Sequence, residues 1–73
     1  MKVFYTPAID GEFQPLKRAR VADIPDAAAY DTVKHYGGQA AVDELDSQGF
    51  TKILAKAMDA NQTGYWTYQQ EDL

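Results

Sequence analysis

Residues 24–60 constrain this chain most, because glycines divide them into three stretches that carry apolar side chains at helical spacing. Gly37-Gly38 separates Pro25–Tyr36 from Gln39–Gln48, and Gly49 separates the latter from Phe50–Ala60. In the third stretch Phe50, Ile53, Leu54, Ala57 and Met58 fall at i, i+3, i+4, i+7 and i+8, with Lys52, Lys56 and Asp59 on the other side, which predicts an amphipathic helix. Ala41, Val42 and Leu45 repeat the pattern in the second stretch, and Ala29, Tyr30, Val33 and Tyr36 in the first. Asp23-Ile24-Pro25-Asp26 reads as a helix start: proline fits the first turn, and early carboxylates complement the helix dipole. A second arrangement, one continuous helix over 39–60 that tolerates Gly49 at about 1 kcal/mol, stays open beside the broken one.

The flanks read as strands. Val3-Phe4-Tyr5-Thr6 is β-branched and aromatic and stops at Pro7. Asp10-Gly11 is a turn pair, and Phe13–Val21 returns as a second strand that Pro15 confines to an edge or to the residues beyond it. After a turn at Asn61–Gly64, Tyr65-Trp66-Thr67-Tyr68 alternates, with Trp66 and Tyr68 on one face and Tyr65 and Thr67 on the other. The expected fold is therefore α+β: a three-stranded, mostly antiparallel sheet (strands near 2–6, 16–21 and 64–69) covered on one face by two or three helices (25–36, 39–48, 50–60). Residues 69–73 are polar and acidic and read as a frayed tail.

Seventy-three residues allow one domain, 1–73, with one small core, and there is no cysteine to staple it. Association with a second copy or another protein would bury more apolar surface, so a homodimer or a protein partner is expected. The chain shows neither a secretory leader nor an apolar run of membrane-spanning length, which points to the cytoplasm and away from membranes.

Charge is distributed unevenly. Residues 1–20 carry Lys2, Lys17, Arg18 and Arg20 against Asp10 and Glu12. Residues 21–73 carry only Lys34, Lys52 and Lys56 against nine carboxylates. The helical part is thus the acidic part, and a phosphate-binding surface there would oppose the local field. Asp31, Asp43, Glu44 and Asp46 are the candidate partner-binding acidic face. Lys17, Arg18 and Arg20, with Lys52 and Lys56, are the candidates for anion or nucleic-acid contact; the alternative for the 17–20 cluster is a charged edge that deters strand-to-strand aggregation. Tyr65, Trp66 and Tyr68 are either an aromatic platform or, for Trp66, part of the core over the helices.

Catalytic and metal chemistry find little support. One histidine, His35, and one serine, Ser47, would have to supply any nucleophile and base, and their spacing favours a His35 placed at a helix carboxyl end. Asp43, Glu44 and Asp46 lack the offsets of a calcium loop, and one histidine without cysteine makes a poor transition-metal site. Gly37-Gly38 has no lysine after it and no strand before it, so it is no phosphate loop. No cofactor, metal or catalytic residue is expected.

Tyr36-Gly37-Gly38-Gln39-Ala40-Ala41-Val42-Asp43-Glu44-Leu45, followed by a turn and the stripe from Phe50 to Met58, resembles the helix-turn-helix of small phage Cro-type repressors. That resemblance implies a DNA-binding regulator with Lys52 and Lys56 on the recognition helix. The size and charge also resemble the small acidic proteins of mobile elements, DNA-mimic and anti-CRISPR inhibitors among them, that occupy nucleic-acid-binding surfaces of host proteins. The balance favours a non-catalytic protein-binding module whose acidic helical face docks a basic partner; the repressor-like reader is the alternative.

Overall fold

The computed structural model describes residues 1–59 and 61–70. It is an α+β fold in which one antiparallel sheet of four strands is covered on one face by a long helix. The strands are β1 (Lys2–Thr6), β4 (Ala19–Asp23), β5 (Phe50–Leu54) and β6 (Tyr65–Gln69), in the spatial order β4-β1-β6-β5. A separate two-stranded ribbon, β2 (Ala8–Ile9) and β3 (Glu12–Phe13), projects between β1 and β4. Helix α1 (Asp26–Gln48) crosses the sheet, and a single turn, α2 (Ala55–Met58), follows β5. Among the described residues no helix is long and apolar enough to cross a membrane.

Local chemistry accounts for most of these elements. Asp10 and Gly11 both have positive φ, 54° and 82°, which closes the β2–β3 ribbon with the backbone twist that two-residue hairpins prefer. Pro15 opens a 3-10 turn over Pro15–Lys17, so the second long strand begins only at Ala19 and not near residue 16. Pro25 stands just before α1 with ψ 143° and Asp26 opens its first turn, so the helix begins one residue later than the pattern placed it. The Met1 ammonium bonds the Asp23 and Asp26 carboxylates and the Ile24 carbonyl, and so ties the amino terminus to the β4–α1 junction. Burial acts to lower the pKa of this ammonium; the two carboxylates outweigh it and hold the value above the ordinary one.

Gly37-Gly38 does not end the helix. The backbone leaves the helical region only at Gly38 (φ 73°, ψ −174°), and the chain resumes as the second half of a kinked α1. The true stop is Gly49, left-handed at φ 84°, whose N–H returns to the Leu45 carbonyl at 3.0 Å.

The segment from Phe50 corrects the expected fold. Phe50–Leu54 is a strand and only Ala55–Met58 is helical, so there is neither a helix over 50–60 nor a continuous one over 39–60. The sheet gains a fourth strand. Burial here has period 2: Thr51, Ile53 and Ala55 are buried while Lys52 and Leu54 are exposed. A short run with apolar residues at 50, 53 and 54 satisfies either period, and pairing with β6 along its whole length (Phe50↔Gln69 to Leu54↔Tyr65) decides for the strand. The second helix of the repressor-like pair is therefore absent.

Between α1 and the sheet lies a core of Met1, Val3, Ala29, Val33, Leu45, Ile53 and Tyr68, with Ile24, Tyr30, Ala41, Val42, Met58 and Trp66 packed around it. Helix α1 lies mainly over β5 and β6, leaving every residue of the edge strand β4 exposed.

Candidate functional site

The helix covers one face of the sheet, and the other face is open. Register assigns side chains to it. Val3, Ile53 and Tyr68 point to α1, so their sequence neighbours Lys2, Phe4, Lys52, Leu54, Thr67 and Gln69 point away, together with Phe50 and Tyr65. Arg20 stands opposite Phe4 across the β1–β4 pair. Residue Val21 is the extra residue of a bulge there, which explains why Arg20 keeps its place beside Phe4 while Ala22 stays opposite Val3.

Two adjoining clefts open on this face. The larger, of about 530 Å³, is lined by Pro15, Arg18, Phe50, Lys52, Tyr65, Thr67 and Gln69. The smaller, of about 340 Å³, lies among Phe13, Pro15, Lys52, Leu54 and Tyr65. The 3-10 turn and the β2–β3 ribbon form their rim, and Phe13 packs edge-on against Tyr65 with ring centres 4.9 Å apart.

Cations lie over the rings of this face. The Arg18 guanidinium is 3.9 Å from the centre of the Phe4 ring and donates to Gln69 Oε1 at 2.9 Å. Lys52 Nζ lies 5.1 Å from the centre of the Tyr65 ring. Both rings therefore turn a face, not an edge, toward the cation side. The one carboxylate that register assigns to this side among the described residues, Asp23 opposite Lys2, accepts from the Met1 ammonium.

The structure divides the candidate residues. Of the basic set, Arg18 and Lys52 line one cleft and Arg20 flanks it across Phe4; Lys17 ends the 3-10 turn and Lys56 lies on α2, neither among the cleft residues. Of the aromatic set, only Tyr65 is on the open face. Trp66 and Tyr68 point to α1, where Trp66 packs on the core and meets Tyr5 with ring centres 4.8 Å apart. Phe4, Phe13 and Phe50 are the rings that accompany Tyr65, and strand register for β5 is the signal that would have found Phe50 and Lys52 together.

The acidic set lies on α1. Asp31, Asp43, Glu44 and Asp46 are all exposed. Asp46 accepts from the Tyr30 hydroxyl at 2.6 Å, Glu44 from Thr51 Oγ1 at 2.8 Å and Asp43 from Gln39 at 3.0 Å. The Asp46 bond, helped by burial, raises the Tyr30 pKa. With Asp26, the helix bears five carboxylates against Lys34, a formal −4.

His35 stacks edge-on against Tyr36 on the exposed side of α1, and the Ser47 hydroxyl donates to the Glu44 carbonyl, so the two do not pair. Among the described residues no cluster of histidine, aspartate and glutamate could hold a metal ion. No protein-family model, curated protein or solved structure matches the chain.

Proposed function

We propose that the protein is a non-catalytic protein-binding module whose acidic helix docks the basic, nucleic-acid-binding surface of a partner protein, in the manner of a DNA-mimic inhibitor. The observation that carries this reading is the segregation of charge by layer. Five carboxylates stand on α1, while Lys2, Arg18, Arg20 and Lys52 belong to the opposite side of the sheet. A helix with a formal −4 and an apolar side already committed to the core turns exposed carboxylates, Asp31 and Asp43 among them, toward a partner of opposite sign, while Asp26 pairs with the Met1 ammonium and Glu44 and Asp46 accept from Thr51 and Tyr30. The repressor-like alternative loses its structural basis with the helix that would have entered the major groove.

The test is affinity capture from cells with the wild-type chain and with Asp31→Lys/Asp43→Lys, both exposed positions. We expect a nucleic-acid-binding protein to be retained by the wild type, lost with the double variant and released by competing duplex DNA. Retention that the charge reversal leaves unchanged would sink the reading.

A further inference from the structure

We infer that the open face of the sheet is a binding site for single-stranded nucleic acid, independent of the acidic helix on the other side. Sequence-tolerant recognition of a single strand needs cations spaced to follow phosphates and aromatic faces on which bases stack. Both are present on one surface here. Phe4, Phe13, Phe50 and Tyr65 supply rings, and Lys2, Arg18, Arg20 and Lys52 supply cations between and around them.

Three observations favour this occupant over the alternatives. First, the cations sit over ring faces: Arg18 on Phe4 and Lys52 on Tyr65 mark surfaces where a base can replace or sandwich the cation while the cation turns to a phosphate. Second, the floor between the rings is the buried Thr67 with Gln69, which accepts from Arg18, at its end, so the floor is neutral and sets no negative charge against a phosphate. Third, the sole carboxylate that the register of the four-stranded sheet brings to this side among the described residues, Asp23, is held by the Met1 ammonium, so the sheet's own side chains there carry more positive than negative charge despite a net charge of −4. The exposed helix carboxylates Asp31 and Asp43 belong to the layer on the other side of the sheet, and at physiological salt a screening length of about 8 Å weakens their influence; Glu44 is nearer, held by Thr51 Oγ1 of β5 at 2.8 Å.

A duplex is a poorer fit, because its bases are stacked inside and unavailable to Tyr65 and Phe4. An acidic protein segment would use the cations but leave the rings without a planar partner. Phe13 (47% exposed) and Leu54 (56%) add apolar surface beside the rings that an acidic segment would leave uncovered.

The deciding experiment is fluorescence anisotropy of a labelled oligothymidine of about 12 nucleotides titrated with the full chain, from low to physiological salt. We expect binding with a log–log salt slope of about −2 to −3, as four phosphate contacts at roughly −0.7 each would give. Tyr65→Ala and Lys52→Ala should each weaken binding about tenfold or more, and Lys56→Ala should leave it unchanged. Because Tyr65 is partly buried, Phe13→Ser, at a more exposed ring on the smaller cleft, serves as the second aromatic variant, with circular dichroism confirming that each variant folds. Absence of binding at low salt overturns the inference. So does equal binding of a duplex of the same length, loss with Lys52→Ala but with neither aromatic variant, or displacement by poly-glutamate of matched charge, which would assign the face to an acidic protein. The Asp31→Lys/Asp43→Lys variant should retain oligothymidine binding, so failure here and failure of the acidic-helix reading are separable.

Discussion

Gly64 shows how little freedom single positions have in this chain. Its φ is 97°, and a Cβ built there would lie 2.2 Å from the Thr6 carbonyl oxygen, an atom of the central strand β1 that cannot move aside. Gly64→Ala therefore meets both a backbone conformation that L-residues avoid and a backbone clash. We expect it to cost upward of about 2 kcal/mol. Gly11, with φ 82° and open space around it, isolates the conformational part, so Gly11→Ala should cost about 1 kcal/mol. Urea unfolding of the two variants tests the ranking, and equal costs would contradict it. The tyrosines give a second prediction at this scale. The Asp46 bond, followed by burial, raises the Tyr30 pKa; burial, followed by the Tyr36 charge, raises that of Tyr68. A folded-state pKa above the unfolded one stabilises the fold fully below pH of about 10 and loses that contribution as pH rises through the folded values. Of the five tyrosines, two should thus ionise late in an absorbance titration at alkaline pH. Asp46→Asn should bring one of them back toward its ordinary value.

Helix α1 and strand β5 carry the lesson about elements. Strands near 2–6 and 64–69 and the helix start near Pro25-Asp26 were legible because each rests on a local signal: β-branched and aromatic runs, and a proline just ahead of a first turn. Whether Gly37-Gly38 would stop the helix or kink it was not legible, since that depends on the second half finding the sheet through Leu45, which is fully buried. Strand β5 was hidden for a related reason. Phe50, Ile53 and Leu54 match helical spacing, and only the β6 ladder, set by residues fifteen or so positions away, fixes the period at two. The candidate site is hidden with it: Arg18 and Lys52 are both basic candidates in the sequence, but helical spacing over 50–60 does not bring Lys52, Phe50 and Tyr65 to one surface, and the β5–β6 ladder does. At Gly38, φ 73° and ψ −174° are strained for any residue with a Cβ, although nothing lies within 4 Å of one. Gly38→Ala should then cost about 1–3 kcal/mol by straightening or straining the kink and shifting Leu45 against Val33. A stability equal to wild type, with unchanged amide-exchange protection along 39–48, would show that the kink is incidental.

For the whole molecule, the small core sets what the surface can be asked to do. Met1, Val3, Ala29, Val33, Leu45, Ile53, Ala55 and Tyr68 are the buried apolar residues among those described, with alanine and methionine among them, and a core of this size leaves a net stability on the order of a few kcal/mol. Leu45 is the largest fully buried side chain, and Leu45→Ala should cost about 2–5 kcal/mol, as much as the whole margin. We expect it to abolish a cooperative thermal transition followed by circular dichroism. Leu54, of the same composition but 56% exposed on the open sheet face, should behave in the opposite way. Leu54→Ser removes little buried area and should stay within about 0.5 kcal/mol of wild type, a shift in Tm of only a few degrees. The contrast separates an apolar side chain that holds the core from one that lines a cleft on the open face. Should Leu54→Ser unfold the chain as Leu45→Ala does, the open face would belong to the core and not to a ligand.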